Sequence, residues 1–146
     1  MGNGFSYLTL ICCTAELDLD MQHINNIKSI KTENLPFGLW LYNNNHSPTS
    51  IEICYNISID MEKILQILNF NDLSRFIKEY YSIHNNIKWT DVFKKYDGIF
   101  FKNVHKIKKQ IKLSDSLKSD FIWYMDLNDD CCCINNTSCI FSIIKH

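Results

Sequence analysis

The stretch Trp89 to Phe101, WTDVFKKYDGIFF, constrains the chain most, because it reads as a short helix, a tight turn and a buried strand within thirteen positions. Thr90 is the expected helix cap. Asp91 falls in the first turn, where a negative charge suits the helix dipole. Trp89 and Phe93 lie four apart, on one helical face, and both are expected to point inward. Asp97-Gly98 then breaks the helix, since Gly tolerates the backbone angles of a sharp turn. Ile99, Phe100 and Phe101 follow as an apolar, β-prone run.

A chain of 146 residues can bury a core without staples, and one domain spanning 1–146 is expected, with 1–4 as a flexible leader. With 46% hydrophobic and 21% charged residues the composition is globular, and a net charge of -1 gives no global pull toward nucleic acid. No apolar run approaches the roughly 20 residues of a membrane span, so no transmembrane segment is expected. Seven cysteines, an odd and clustered set with no secretory signal ahead of them, argue for reduced thiols and a cytoplasmic protein. The start, Met1-Gly2-Asn3-Gly4-Phe5-Ser6, fits the loose N-myristoylation pattern, which would bring Gly2 to a membrane; the plainer reading is a leader before the first strand.

Alternation of apolar residues predicts strands over Phe5–Cys13, Gly38–Tyr42 and Ile51–Ile59, the last with Ile51, Ile53, Tyr55, Ile57 and Ile59 on one face. Ala15–Ile30 is ambiguous between a short helix and an irregular crossing, and Asn43–Ser50 reads as a polar loop. Ile64–Leu68 is a short strand or a helical turn. The surest helix starts at Asn71 or Asp72 and runs to about His84, with Leu73, Phe76, Ile77 and Tyr80 as its apolar stripe. Val104, Ile107 and Ile111 mark a further helical face in the basic run Lys102–Lys112, whose lysines read as a solvated face or as a phosphate-binding patch. Phe121–Leu127 is expected as a strand, Asn128–Asp130 as a turn and Cys131 onward as a returning strand, together a hairpin. Ser138–Ile144 suits a last strand. The sum is an α+β fold: a single domain with a mixed, mostly antiparallel sheet and two or three short helices.

Little in the residues announces chemistry. Three adjacent cysteines on a strand would alternate faces, Cys131 and Cys133 one way and Cys132 the other, which scatters them as metal ligands. No local signature ties a histidine to a cysteine nucleophile, and a P-loop, a dinucleotide GxGxxG and a GxSxG elbow are missing. Asp97, Asp126 and Asn136 are the polar groups to follow. An Asp at a strand end forms turns, and it can hold a substrate hydroxyl where aromatic walls such as Trp123 and Tyr124 flank it.

Three pieces in order carry a resemblance: Leu35-Pro-Phe-Gly-Leu-Trp40, then Ile87-Lys-Trp89 through Tyr96-Asp-Gly-Ile99, then Trp123-Tyr124-x-Asp126 with Cys133-Ile134-x-Asn136. They resemble a family of small cytosolic domains of bacteria and viruses with the pattern KPxGLWxS, DWxxVxxxYDGI, WYxxWDxxSGCIWN. That family is in turn similar to ADP-ribosyltransferase-type folds. The resemblance implies a domain that binds NAD or an ADP-ribosyl group, active or degenerate. Trp40 would stack on nicotinamide, Gly38 would allow the ligand to approach closely, and Asp97, Trp123, Tyr124, Asp126 and Asn136 would complete the site. The chain departs from the pattern with Cys12-Cys13-Thr14 where a His-containing anchor is expected, Tyr42 for Ser and Met125 for Trp, and no catalytic Glu can be assigned. The competing expectation is a non-enzymatic protein-interaction domain that uses an aromatic cleft or a sheet edge; a metal or thiol site at Cys131–Cys133 ranks last.

Overall fold

The computed structural model describes residues 7–14, 35–36, 38–42, 53–84, 86–114 and 119–145. The expected leader, the ambiguous Ala15–Ile30 segment and the Asn43–Ser50 loop lie outside these residues. Seven strands form one mixed sheet: β1 (Tyr7–Thr14), β2 (Leu39–Tyr42), β3 (Ile53–Asp60), β4 (Ile64–Ile67), β5 (Gly98–Phe101), β6 (Cys131–Ile134) and β7 (Ile140–Lys145). Their order across the sheet is β4-β5-β6-β2-β1-β3-β7. Only β4 and β5 pair in parallel; the other neighbours are antiparallel. This is the mixed, mostly antiparallel α+β architecture expected, with β1 in the interior of the sheet.

The parallel pair forces a crossover, because parallel neighbours cannot be joined by a hairpin. The crossover carries α1 (Phe70–Tyr80) and α2 (Trp89–Lys95). Helix α1 begins at Phe70, one or two residues before the expected start, because the Asn69 side chain accepts from the Asp72 amide at 2.8 Å and caps it. It also stops four residues short of His84. Tyr81 leaves the helix to bridge Ile87, and the Lys88 amide donates to the Tyr80 carbonyl at 2.8 Å. The expected stripe is confirmed: Leu73, Phe76, Ile77 and Tyr80 are all buried. In α2 the expected cap is corrected. The helix already starts at Trp89, Lys88 stands at the cap position without a side-chain hydrogen bond, and Thr90 is exposed inside the first turn. Trp89 and Phe93 are half-buried with ring centroids 6.0 Å apart, and Val92 is the residue that α2 buries fully.

Helix α3 (Val104–Leu113) buries Val104, Ile107 and Ile111, as the spacing predicts. It is entered through Asn103, whose left-handed φ of 59° turns the chain sharply and whose amide group donates to the Leu68 carbonyl at 3.0 Å. The Val104 amide donates to the Asp130 carboxylate at 3.0 Å, so the helix is capped from the turn that precedes β6.

The expected strand over Phe121–Leu127 is not one. Ser119–Ile122 is a short helix, α4, continued by a 3-10 turn over Trp123–Asp126. Phe121, Trp123, Tyr124 and Leu127 are buried while Ile122 and Asp126 are exposed. Burial of Phe121 with Tyr124 and of Trp123 with Leu127 is a three-to-four period; a strand would have turned Tyr124 outward. The β preference of Phe, Ile, Trp and Tyr is overridden by packing. The hairpin falls with the strand, since β6 pairs with β2 and β5 instead.

Alternation along β2, β5 and β6 divides the core between the two faces of the sheet. Trp40, Ile99, Phe101, Cys131 and Cys133 join the cluster packed against the helices. Leu39, Leu41, Phe100, Cys132 and Ile134 join a second cluster with Ile57 and Ile59 of β3. The cysteine triplet thus alternates as expected. Strand β6 is clasped by glycines from both neighbours. A Cβ on Gly98 would sit 2.5 Å from the Cys133 carbonyl oxygen, and one on Gly38 2.5 Å from that of Ile134. Both contacts are with backbone, which cannot swing aside. Gly98→Ala should therefore lower stability by about 2–3 kcal/mol through overpacking. Urea unfolding monitored by circular dichroism measures this, and a change within about 0.5 kcal/mol, the scale of a neutral surface substitution, would show that β5 and β6 do not approach so closely.

Candidate functional site

The seven residues singled out from the sequence separate into three groups. Trp40, Trp123 and Tyr124 lie in the helix-side core. Trp40 is 6% exposed, Trp123 is 3% exposed and Tyr124 is sealed. The Trp123 and Tyr124 rings meet edge to face at 5.7 Å, and Trp123 also meets Trp89 edge to face at 5.6 Å and Phe76 at 5.7 Å. Such contacts add to burial because ring edges and faces carry opposite partial charge. Trp123 Nε1 and the Tyr124 hydroxyl have no hydrogen-bond partner among the described residues. Burial pushes the Tyr124 hydroxyl well above its usual range, with Cys131 and Asp130 adding to the effect. It is a neutral phenol at any physiological pH.

Gly38, Asp97 and Asn136 gather at the end of β6. The Asp97 carbonyl accepts from the amides of Asn135 and Asn136 at 2.8 and 3.0 Å, and its own amide donates to the Lys63 carbonyl at 2.8 Å. Its carboxylate accepts from the Ser138 hydroxyl at 2.7 Å. Asn136 accepts from the Ser138 amide at 3.0 Å and caps the 3-10 turn Thr137–Cys139. Main chain and side chains here tie the start of β5 to the turn between β6 and β7. Gly38 lies against Ile134 and Cys133 in the same place. Asp126 belongs to neither group: it is exposed, and its charge is felt by Lys108 of α3.

Cys131, Cys132, Cys133 and Cys139 are buried and unbridged. Burial pushes Cys132 well above the ordinary thiol value, with Cys133, Cys139 and Cys131 adding to it. Burial, then the Asp97 carboxylate, pushes Cys139 up from 9.0 to about 12. A protonated thiol is a poor nucleophile and a poor metal ligand. Among the described residues no three His, Cys, Asp or Glu side chains are grouped to hold a metal ion.

The described residues also form a concavity that the sequence does not single out. A depression of about 560 Å³ is lined by Leu35, Pro36 and Ile87, by the half-buried Trp89, and by a rim that includes Lys88 and Asp91. It brings the Leu35-Pro36 piece against the Ile87–Trp89 piece, which lie some fifty positions apart in the chain. The buried Cys133 thiol lies 3.9 Å from the Pro36 carbonyl. The available signal was the pair of apolar-plus-Pro and Ile-x-Trp pieces, but nothing in their spacing says that they meet. No helix among the described residues is long and apolar enough to cross a membrane. In comparisons with known proteins, no family model, no curated protein and no solved structure matches the chain.

Two measurements check the thiols. Of the seven cysteines, four are buried here, so native protein should react with a disulfide reagent at no more than three sites, and denatured protein at all seven. The raised Cys139 value also has a sign. Above pH 9.0 the unfolded thiol ionises while the folded one keeps its proton to about pH 12, so stability is lost as pH rises across that interval. Cys139→Ala should make the alkaline fall in urea midpoint shallower; an identical slope in both proteins would show that Cys139 is not shielded.

Proposed function

We propose that this chain is a non-enzymatic protein-interaction domain that takes a short apolar segment of a partner into the depression beside Trp89. The observation that carries the reading is where the aromatic residues lie. Trp40, Trp123 and Tyr124, which a nucleotide site would need at its walls, are packed inside the fold. Trp89 is the one tryptophan with an open side, and it stands beside a concavity of ordinary ligand-binding size. Pro36, Leu35 and Ile87 supply an apolar floor, and Lys88 and Asp91 are exposed charges that orient whatever lies on it. The Asp97–Ser138–Asn136 group supports the same reading, because its hydrogen bonds hold the sheet end together.

The alternative is the NAD or ADP-ribosyl site implied by the sequence resemblance, and it predicts different outcomes. Isothermal titration with NAD and with ADP-ribose should give no heat at millimolar ligand, for wild type and for Trp40→Phe alike. Peptides selected from a random displayed library against the wild type should shield Trp89 from acrylamide quenching. They should bind Thr90→Arg at least about tenfold more weakly, roughly 1.4 kcal/mol, because Thr90 is an exposed residue on the wall of the depression. Heat from NAD that Trp40→Phe weakens would overturn the proposal in favour of a nucleotide site, and peptides indifferent to Thr90→Arg would place the contact elsewhere.

A further inference from the structure

Helix α3 presents a one-sided charged surface. Between Lys102 and Lys112 the chain has five lysines and no acid, although the whole protein carries -1. The helix spends its apolar stripe, Val104, Ile107 and Ile111, entirely on the core. Lys106, Lys109 and Lys112 are therefore left on the exposed side, with Lys102 just ahead of the helix. Residues three and four apart are neighbours on a helix, so Lys106, Lys109 and Leu113 form one continuous row with Lys112 beside it. Leu113 is 85% exposed. A bare leucine at the end of a row of ammonium groups is a different surface from a solvated lysine face.

Among the described residues no acid pairs with Lys102, Lys106, Lys109 or Lys112. Asp130 is engaged by the Val104 amide, and Asp129 faces His105 at 3.9 Å, an exposed and weak pairing. Asp126 acts on Lys108, on the flank of the helix nearest the core. Lys108 itself is pushed below the usual lysine range, first by burial and then by the charge of Lys112, with Asp126 opposing the shift.

We propose that the outer face of α3 binds the surface of an anionic lipid bilayer, with Lys102, Lys106, Lys109 and Lys112 against the lipid phosphates and carboxylates and Leu113 entering the acyl boundary. Charge complementarity selects an anionic surface. Leu113 selects a bilayer over a nucleic acid, because a phosphodiester backbone gives a bare leucine nothing to bury against, and the face has neither the Arg nor the aromatic residues that read or stack on bases. The surface binds without crossing the membrane, as a peripheral contact.

Vesicle sedimentation tests this with the whole chain. Binding to vesicles of phosphatidylcholine with about one third phosphatidylserine should exceed binding to phosphatidylcholine alone by at least about tenfold, and should fall as salt is raised. Lys106→Glu combined with Lys109→Glu should remove the preference. Leu113→Ser should weaken binding several-fold while leaving the salt dependence intact. Leu113→Trp should show a blue-shifted, quencher-protected emission on anionic vesicles only. All three positions, Lys106, Lys109 and Leu113, are exposed, and unchanged thermal melting of the variants establishes that they are folded. Equal binding to neutral vesicles, indifference to the double charge reversal, or an unshifted emission from Leu113→Trp would overturn the proposal. So would retention of duplex DNA or heparin without retention of vesicles, which would make α3 a polyanion surface with no use for Leu113.

Discussion

Strand β6 is the constraint on which the rest of the structure depends. It is only four residues long, Cys131 to Ile134, yet it hydrogen-bonds to β5 on one side and β2 on the other and is buried on both faces. It joins the parallel β4–β5 pair with its helical crossover to the antiparallel β2-β1-β3-β7 half. A strand so enclosed needs side chains small enough for two faces and neighbours that can come close. Three cysteines meet the first need as compact, weakly polar groups. Gly38 and Gly98 meet the second, each bringing its backbone to where a Cβ would collide with a β6 carbonyl.

The segments at either end of β6 extend that hold. Before it, Asp130 caps α3, so the helix is fixed to the sheet through its first amide. After it, Asn135 and Asn136 donate to the Asp97 carbonyl, and Ser138 donates to the Asp97 carboxylate. The polar residues at the end of the sheet thus act as fasteners between β5 and the turn that leads to β7. The Asp97 and Asn136 side chains each accept a hydrogen bond from Ser138 at this turn, a habit of Asp and Asn in turns.

Helices α1, α2 and α3 each bury one stripe on the same face of the sheet, and their outer sides differ in chemistry. The first turn of α2 forms a wall of the depression with Trp89, while α3 presents lysines around an exposed leucine. Buried aromatic contacts set how firmly these helices sit; Phe76, Trp89 and Trp123 lock α1, α2 and the 3-10 turn to one another through ring contacts of 5.6–5.7 Å. The outward sides of these helices thus differ in chemistry while their inward sides are committed to one core.

Periodicity in the chain determined a good deal by itself. The stripe of α1, the stripe of α3, the inward turn of Ile57 and Ile59 in β3, the opposed faces of Cys131 and Cys132 and the helix-turn-strand unit at Trp89–Phe101 all follow from local side-chain direction, which depends only on backbone type. Boundaries were less legible, because Asn69 rather than Asn71 or Asp72 supplies the cap of α1 and a bridge between Tyr81 and Ile87 ends it. Tertiary structure alone decided that Phe121–Asp126 is helical, because those side chains suit either a strand or a turn and the burial of Tyr124 beside Phe101 and Trp123 selects the turn. It alone decided that β6 pairs with β2 and β5, since pairing partners remote in sequence leave no local trace. It alone separated Trp40 from Asp126 and brought Pro36 to Trp89, because whether two residues share a surface is a property of how the sheet and helices pack, and no spacing along the chain encodes it.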